Sequence, residues 1–393
     1  MFETEPIVRV GIIESPRVRY IIKGVEHEAA FAPDFREVYI PAGPFTLRGV
    51  TIGKQFHWEQ QEDQTFVGAL RIIAADDHLV AINEVHLEDY LASVISSEMA
   101  ATNNLELLKT HAIISRSWVL RQMLPANSLS TADDDKRSDG ELIRWWDHDD
   151  HTLYDVCADD HCQRYQGITR QVSPLVAEAI RQTRGQVLKD RDGNICDARF
   201  YKACGGHTER FDACWQDRHL HYLEPTPDPY CSPEFIERLP GGMEGVMRQV
   251  LNDYDRSTVD YHNWTERYSA VELSDLVERK LDTGLGRILA LEPVERGASG
   301  RIVRLRIVGT ERTIVIGKEL LIRKALSESH LKSSWFDVET PSPDVFILHG
   351  HGWGHGVGLC QIGAAAMSIA GKSHEEILAH YFHGARIERL YDV

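Results

Sequence analysis

The sequence lacks the features expected of a protein that binds nucleic acid or crosses a membrane. No run rich in Lys and Arg is present, and 43 basic residues against 60 acidic ones leave a formal net charge of −17. Because binding to a phosphate backbone depends on neutralising cations, this charge argues against nucleic acid as a partner, and it equally disfavours a strongly anionic membrane surface. No window approaches the roughly 18 apolar residues of a spanning helix, so no transmembrane segment is predicted.

The N-terminal residues also lack the pattern of a secretory signal. The opening stretch MFETEPIVRVGIIES has no basic start followed by an apolar section, and it has no small-residue cleavage site. The sequence therefore predicts either a protein that acts in the cytoplasm or the mature or trimmed form of an exported one.

The length of the chain and its local patterns predict several packed units. A chain of 393 residues exceeds what a single core usually spans. We predict an α+β fold of mixed helices and antiparallel β units, beginning with a β-rich platform over residues 1–83, where short extended runs alternate with Gly, Pro and Asp turns. Residues 84–235 are predicted to form the first part of the core, 236–340 an embedded α+β segment, and 341–393 a Gly- and His-rich segment that completes the core. The polar stretch 127–150 is predicted to be an exposed loop.

Two helical patterns within residues 86–120 carry the first candidate site. Apolar residues at helical spacing define one face of the first helix, and Glu98 follows on that same face. In the second helix Lys109 and Arg116 lie seven residues apart, about two turns, so they project in nearly the same direction beside the apolar stripe. Two interpretations stay open: the cations extend along the edge of the stripe with their charged ends in water, or Glu98, Lys109 and Arg116 converge on one pocket.

A group of sulfur and imidazole ligands follows these helices. His151, Cys157, His161 and Cys162 fall within twelve residues. Two thiols and two imidazoles are the complete donor set of a tetrahedral zinc site, and a site with four protein ligands is structural. A Cys157–Cys162 disulfide and free thiols are the alternatives.

The C-terminal run HGHGWGHGVG has the most unusual composition in the chain. Five glycines alternate with other residues over positions 350–358, and the run does not fit the phosphate-binding pattern GxGxxG at any register. Alternating glycine allows close approach of the backbone to a ligand or to another segment. If the run is extended, His351, Trp353 and His355 share one face, and we expect them to line a site.

Several motifs, in their order along the chain, resemble one known family. They are HLEDYLASVISSEM, LELLKTHAIISRSW, CQRYQG, YKACGGHTE and GHGWGHGVGLCQIGAAAMSIAGKSHEEILAHYF. Over roughly Ile82 to Ile387 the chain closely resembles the SpoIID/LytB family. The resemblance implies a bacterial cell-wall protein, located in the cell envelope outside the cytoplasm, whose partner is the glycan strand of peptidoglycan.

The resemblance also implies an activity and a set of site residues. For the SpoIID branch the activity is that of a lytic transglycosylase, which cleaves the MurNAc–GlcNAc β-1,4 bond without water and leaves a 1,6-anhydro-MurNAc end, with a preference for glycan stripped of its stem peptides. The family's catalytic acid matches Glu98, its Lys and Arg match Lys109 and Arg116, and its Tyr matches Tyr201. Some relatives bind zinc through a cluster that matches the one at residues 151–162. The predicted substrate-binding residues are Lys109, Arg116, Tyr201, Cys204, His351, Trp353 and His355.

Two positions depart from the family's pattern, and two other functions stay open. Cys204 and Cys360 stand where the family commonly has hydroxyl residues, and a thiol is a weaker hydrogen-bonding group toward a sugar. One alternative function is a non-catalytic peptidoglycan-binding protein that enhances an amidase. Another is a zinc hydrolase built on the 151–162 cluster, which would require an open coordination position.

Overall fold

The computed structural model describes residues 3–53, 59–99, 104–124, 135–138, 140–145, 151–159, 161–169, 173–251 and 261–392. Helices and antiparallel sheets together confirm the predicted α+β class. The helices are α1 (Leu87–Glu98), α2 (Leu105–Met123), α3 (Pro174–Thr183), α4 (Pro233–Ile236), α5 (Gly242–Val250), α6 (Ala270–Leu281), α7 (Glu319–Ala325), α8 (Gln361–Ile369) and α9 (His374–Tyr381). None of the helices in these residues combines the length and the apolar character needed to cross a membrane.

The strands of the first half are β1 (Ile7–Ser15), β2 (Arg17–Ile22), β3 (Val25–Ala30), β4 (Val38–Ile40), β5 (Phe45–Ile52), β6 (Gln60–Phe66), β7 (Ala69–Ala75), β8 (His78–His86), β9 (Asp135–Ser138), β10 (Glu141–Arg144), β11 (Val156–Cys157) and β12 (Gln186–Lys189). Those of the second half are β13 (Phe200–Tyr201), β14 (Asn263–Ser269), β15 (Ile288–Arg296), β16 (Ile302–Gly309), β17 (Thr313–Gly317), β18 (Phe336–Ser342), β19 (Val345–His351), β20 (Leu359–Cys360) and β21 (Arg386–Arg389).

The N-terminal platform consists of two sheets that share a core with the first helices. One sheet has the order β11-β1-β8-β7-β4 and the other β3-β2-β5-β6. Strand β8 ends at His86 and α1 begins at Leu87, so the unit boundary predicted after residue 83 falls inside β8. Apolar side chains of the sheets, such as Val8, pack in one cluster with Tyr90 of α1 and Trp118 of α2. The platform therefore supports the helix that carries Glu98.

The two helices predicted at residues 86–120 are present as α1 and α2, and local residues determine where α2 begins and where α1 ends. Asn104 caps α2, since its side-chain oxygen accepts from the backbone N–H groups of Glu106 and Leu107. Helix α1 ends at Glu98 because Met99 has an extended backbone. This sharp end leaves Glu98 on the last turn, where its side chain can point away from the helix packing.

The embedded segment forms a separate sheet with the order β15-β16-β17-β10-β9. The exposed loop predicted over residues 127–150 is wrong in its described part, because β9 and β10 belong to this sheet and β10 runs parallel to β17. Trp145, which follows β10, is buried. Strands of four residues show little periodicity in the sequence. The parallel partner of β10 is β17, which lies far along the chain, so the β10–β17 pairing could not be predicted from the local pattern. The adjacent Trp146 lies outside the residues that the structure describes.

A two-residue parallel pairing joins the middle of the chain to its end. In β13 and β20, Phe200 pairs with Leu359 and Tyr201 with Cys360. A second hydrophobic core surrounds this pair and includes the inner faces of α8 and α9. The pairing places Tyr201 beside the glycine run that precedes β20.

Candidate functional site

A cavity of about 620 Å³ lies between the platform, the end of α1 and the C-terminal glycine run. Eight of the predicted site residues line it, namely Glu98, His151, Cys157, His161, Cys162, Tyr201, Trp353 and His355. Four others are not among its lining residues: Lys109, Arg116, Cys204 and His351. The structure thus brings the acid, the His/Cys cluster and part of the glycine run together, although they are far apart in sequence.

The loop that follows the His/Cys cluster positions Glu98. The backbone N–H of Arg164 donates to Oε1 of Glu98 at 2.9 Å. The same loop is fixed to α1, because the Tyr90 hydroxyl donates to the Gln163 side-chain oxygen at 3.1 Å. Within the described residues no cation forms an ion pair with Glu98, whereas Asp155 on the same cavity pairs with Arg9. Glu98 therefore presents an oriented carboxyl group to the cavity, with no neutralising partner in the part of the chain that the structure describes.

The His/Cys cluster has the composition and the spacing of a metal site. The ligand atoms of His151, Cys157, His161 and Cys162 all lie within 4.8 Å of one another. Sγ of Cys162 is 3.4 Å from Nε2 of His151 and 3.5 Å from Nδ1 of His161. A hydrogen bond from Cys162, with help from His151 and His161, lowers the pKa of the Cys157 thiol far below its ordinary value. Two sulfurs and two imidazole nitrogens fit a tetrahedral ion, so the residues present can hold a metal.

Tyr201 and His355 form the opposite wall of the cavity. Their ring centroids are 5.2 Å apart, and the His355 ring lies 5.0 Å from that of Trp215. Burial raises the pKa of the Tyr201 hydroxyl well above its ordinary value, so this group remains a donor. It finds no hydrogen-bond partner among the described residues. A buried donor without a partner is costly to the fold.

His355 is held as a neutral ring and does not serve as an acid or base. The backbone N–H of Val357 donates to Nδ1 at 3.0 Å, so the proton is on Nε2, which donates to the carbonyl oxygen of Phe200 at 3.1 Å. Burial, reinforced by nearby arginines, lowers the pKa of His355 well below its ordinary value. Both nitrogens are occupied, so His355 contributes a ring surface to the wall.

The glycine run is folded and not extended, which separates its side chains. Gly352, Gly354, Gly356 and Gly358 all have positive φ, between 68° and 91°. The run still permits the close approach predicted for it, because a Cβ on Gly354 would lie 2.8 Å from Cβ of Tyr201 and one on Gly358 would lie 2.2 Å from the Arg199 carbonyl oxygen. The approach is made to another segment of the protein.

His351 does not share the face of Trp353 and His355. It ends β19, where its Nδ1 is 2.7 Å from Oδ1 of Asn263 and its ring packs on Trp335 at 5.0 Å. The turn at Gly352, with φ of 68°, redirects the chain immediately afterwards. The prediction of one common face required an extended run, and the positive φ values exclude it.

Arg116 lies in a buried ion pair on the other side of α1. Its side chain is fully buried, and Nη2 is 2.6 Å from Oε2 of Glu88. Gly185 N–H and the Tyr391 hydroxyl also donate to this carboxylate. Burial opposes ionisation of Glu88, but Arg116 and these donors outweigh it and lower its pKa. The seven-residue spacing identified a cation beside the apolar stripe, but its partner in this structure is Glu88 at the start of α1 and not Glu98 at its end.

Lys109 pairs with Glu106 at 2.7 Å, and His374 approaches the other oxygen of the same carboxylate at 2.6 Å. The pair lies at the start of α2 and joins it to α9. Neither of the two interpretations made from the sequence describes this arrangement fully, since the charged end of Lys109 has a protein partner outside the cavity.

This cluster predicts a small loss of stability at low pH. Partial burial opposes ionisation of Glu106, but hydrogen bonds from Lys109 and His374 outweigh it and lower its pKa from 4.5 to about 2. Since the folded pKa lies below the unfolded one, the stabilisation is complete above pH 4.5 and is lost as the pH falls toward 2. We expect about 1 kcal/mol or less, because the carboxylate is partly exposed. Urea unfolding at pH 3 and pH 6 should show a smaller difference for Glu106→Gln than for the parent chain; an equal difference would contradict this.

Cys204 lies behind the wall and not on the cavity surface. Its Sγ is 3.2 Å from Oδ2 of Asp228, and its backbone N–H points at Sγ of Cys360, 3.2 Å away. Both cysteines are fully buried. The substrate contact predicted for Cys204 therefore has no direct geometric basis in this structure.

Two neighbours of the wall were not predicted from the sequence. Arg199 places its guanidinium 3.6 Å from the centroid of the Trp215 ring, and both residues line the cavity. Arg301 is fully buried beneath the glycine run and donates to the carbonyl oxygens of Gly354 at 3.0 Å and Cys204 at 3.3 Å. Lone arginines carry no motif, so only the fold could identify them.

Comparison with known proteins shows which families and proteins the chain resembles. Residues 75–189 match the model for Stage II sporulation protein, and residues 209–358 match a Domain of unknown function (DUF8618). The chain is 25% identical to Stage II sporulation protein D of Bacillus subtilis (strain 168), over 78% of this chain and 76% of that protein. It is 25% identical to Stage II sporulation protein D of Bacillus amyloliquefaciens, over 78% of this chain and 75% of that protein. An Amidase enhancer of Bacillus subtilis is 22% identical over 76% of this chain and 40% of its own length. The resemblance to the SpoIID/LytB family is confirmed, and the chain carries the Stage II sporulation protein domain of that family.

Proposed function

We propose that this protein is a lytic transglycosylase of peptidoglycan, acting outside the cytoplasm on glycan strands from which the stem peptides have been removed. The observation that carries the proposal is the placement of Glu98, whose carboxyl group faces a cavity of about 620 Å³ without a cationic partner among the described residues. The family to which the motifs belong supports the choice of substrate.

The proposed reaction needs one carboxyl group. Glu98 donates a proton to the O4 oxygen of the departing GlcNAc as the C1–O4 bond breaks. The C6 hydroxyl of the same MurNAc then forms the C1–O6 bond and returns a proton to Glu98. No water is consumed, and the product is a 1,6-anhydro ring. Ordinary glycosidases require a second carboxylate because their nucleophile is water or the enzyme itself.

The lining of the cavity suits a sugar chain with occasional negative charge. Trp353, Trp215 and Tyr261 present aromatic rings, which can cover the apolar faces of sugars. Hydrolysis of the amide bond between MurNAc and its peptide leaves a free lactyl carboxylate on each stripped MurNAc. Lys202, which also lines the cavity, is suited to attract such carboxylates, whereas Arg199 is already paired with Asp197 at 2.9 Å. An amidase that removes the peptides is therefore the partner activity that this substrate requires.

We further propose that His151, Cys157, His161 and Cys162 hold a structural zinc ion. A closed set of four ligands leaves no position for water, so the ion would not generate a nucleophile. Its contribution would be to fix the loop whose Arg164 N–H binds Glu98, since Arg164 is only two residues from Cys162. This arrangement argues against the zinc hydrolase considered from the sequence.

The proposal is tested with purified peptidoglycan treated with an amidase and with an untreated sample. Incubation with the protein should release fragments ending in 1,6-anhydro-MurNAc from the treated sample, detected by mass spectrometry as a mass 18 Da below that of a hydrolysed end. Reducing ends would indicate a hydrolase. Binding without cleavage, together with stimulation of an added amidase, would instead establish the enhancer function.

The unsatisfied hydroxyl of Tyr201 provides a second test. Tyr201→Phe removes a buried donor that has no partner among the described residues, so the free energy of unfolding should stay equal or increase. If the hydroxyl binds the glycan, kcat/KM should fall roughly 5-fold, the equivalent of one hydrogen bond of about 1 kcal/mol. Unfolding in urea and rates of anhydro-product release measure the two effects. Reduced stability with an unchanged rate would show a structural role for the hydroxyl.

A further inference from the structure

We propose that Cys204, Asp228, Cys231 and Cys360 form a second structural metal site, with zinc as the preferred ion. This site is separate from the 151–162 cluster and does not depend on the proposed activity. It would connect three distant parts of the chain behind the wall that carries Tyr201.

The four side chains converge from separate elements. Cys204 follows β13, Asp228 caps the single turn Pro229–Cys231 and Cys231 ends it, and Cys360 ends β20 immediately before α8. Each of the four residues is fully buried. Their ligand atoms all lie within 4.8 Å of one another, and Sγ of Cys204 is 3.2 Å from Oδ2 of Asp228. Tetrahedral zinc with bonds of about 2.0–2.3 Å separates its ligands by about 3.3–3.8 Å, so only small movements are needed to bind an ion.

Backbone amides are directed at the sulfur atoms. The N–H of Cys204 donates to Sγ of Cys360 at 3.2 Å, and the N–H of Gly206 donates to Sγ of Cys204 at 3.2 Å. The N–H of Gly363, in the first turn of α8, donates to Sγ of Cys360 at 3.4 Å. Such donors stabilise thiolates, the form in which cysteine binds metal. The N-terminus of α8 adds its favourable dipole at Cys360.

Neighbouring hydrogen-bond donors also orient the carboxylate of Asp228. The Tyr381 hydroxyl donates to Oδ2 of Asp228 at 2.8 Å, and the backbone N–H of Tyr230 donates to Oδ1 at 3.1 Å. Hydrogen bonds of this kind commonly orient the ligands of protein metal sites. His262 is adjacent, but its Nε2 donates to the Cys231 carbonyl oxygen at 2.8 Å and is 3.9 Å from Sγ of that residue. Asp228 is therefore the better fourth ligand.

The charge of the four side chains favours a bound cation at this position. Three thiolates and a carboxylate carry four negative charges, and burial of such charges without compensation is prohibitive. With Zn²⁺ the net charge becomes −2, the same as in a zinc site of four cysteines. A disulfide between two of the cysteines would leave the third thiol and the carboxylate with no common function.

Zinc content per chain tests the inference directly. The purified protein should contain two equivalents of zinc by elemental mass spectrometry. Cys231→Ser should lower the content to one, and Cys157→Ser should also leave one, held by the second site. Cys196→Ser is the matched control, since Cys196 is equally buried but outside both clusters; it should retain two. Equal zinc in Cys231→Ser and the parent chain would overturn the inference.

Two measurements decide the question even if a variant fails to fold. Zinc X-ray absorption on the unmodified protein should give an average between two and three sulfur ligands per zinc; an average of two would indicate only the first cluster. Thiol titration of the denatured, metal-free protein should detect all seven cysteines, and a deficit of two would show a disulfide instead. Neither readout involves glycan cleavage, so failure of the proposed activity would leave the result interpretable.

Discussion

Glu98→Gln is expected to abolish release of 1,6-anhydro products while leaving the fold intact. Glutamine preserves the size of the side chain and can still accept the Arg164 N–H, which is 2.9 Å from Oε1. It cannot donate a proton to the leaving oxygen or accept one from the C6 hydroxyl. General acid–base catalysis contributes roughly 10²–10⁴-fold, and because one group performs both transfers we expect the upper part of that range.

The measurement is the initial rate of anhydro-end formation on amidase-treated peptidoglycan, with binding to the same material recorded in parallel. Glu178→Gln is a suitable control, because Glu178 lies in α3 outside the cavity and its carboxylate contacts Arg181 and Gln182 of the same helix. Binding should persist in both variants. A rate for Glu98→Gln within a few-fold of the parent rate would remove Glu98 from the mechanism.

Arg116→Met is expected to lower the free energy of unfolding by about 3–5 kcal/mol. The substitution removes the cation that compensates the buried Glu88 carboxylate and leaves the Gly185 N–H and the Tyr391 hydroxyl as its remaining donors. Removing one partner of a buried pair costs more than removing both, because the remaining charge loses its compensation. Since single domains are stable by about 5–15 kcal/mol, the loss is a large share of the total.

Urea unfolding of Arg116→Met, Glu88→Gln and the double variant measures this cost. The double variant should be more stable than Arg116→Met alone, since it buries no unpaired charge. The same set decides between the structural position of Arg116 and the substrate-binding role predicted from the family resemblance. If Arg116→Met unfolds like the parent chain but loses glycan binding, the substrate-binding role is correct.

Two parts of the candidate site could be recognised in the sequence because each lies in a short, local pattern. The helix ending at Glu98 follows from apolar spacing over three turns, and the His/Cys cluster is contained in twelve residues. Each pattern is complete within a window that sequence periodicity can resolve. The structure adds that these two parts touch through Arg164.

Other parts depend on contacts that no local pattern contains. Glu88 and Glu98 are both acidic residues of α1, and the spacing of Arg116 does not indicate which of them is its partner. The glycine run was compatible with an extended or a folded backbone, and only the positive φ values distinguish them. Cys204, Cys231 and Cys360 are separated by up to 156 residues. In the sequence, Cys204 and Cys360 stand out only as cysteines where the resembled family commonly has hydroxyl residues. The structure shows that they lie in one cluster with Cys231.

The parallel pairing of β13 with β20 has a consequence for the order in which the site forms. Tyr201 can gain its neighbour Cys360 only after the chain has been synthesised past residue 360, and contacts of such long sequence separation slow folding. A chain synthesised only as far as the residues before Cys360 thus carries Glu98 without the complete surface that faces it. On the proposed function, a chain truncated before Cys360 would keep Glu98 but would lack the pairing that holds Tyr201 in the facing wall, and we expect it to cut no glycan.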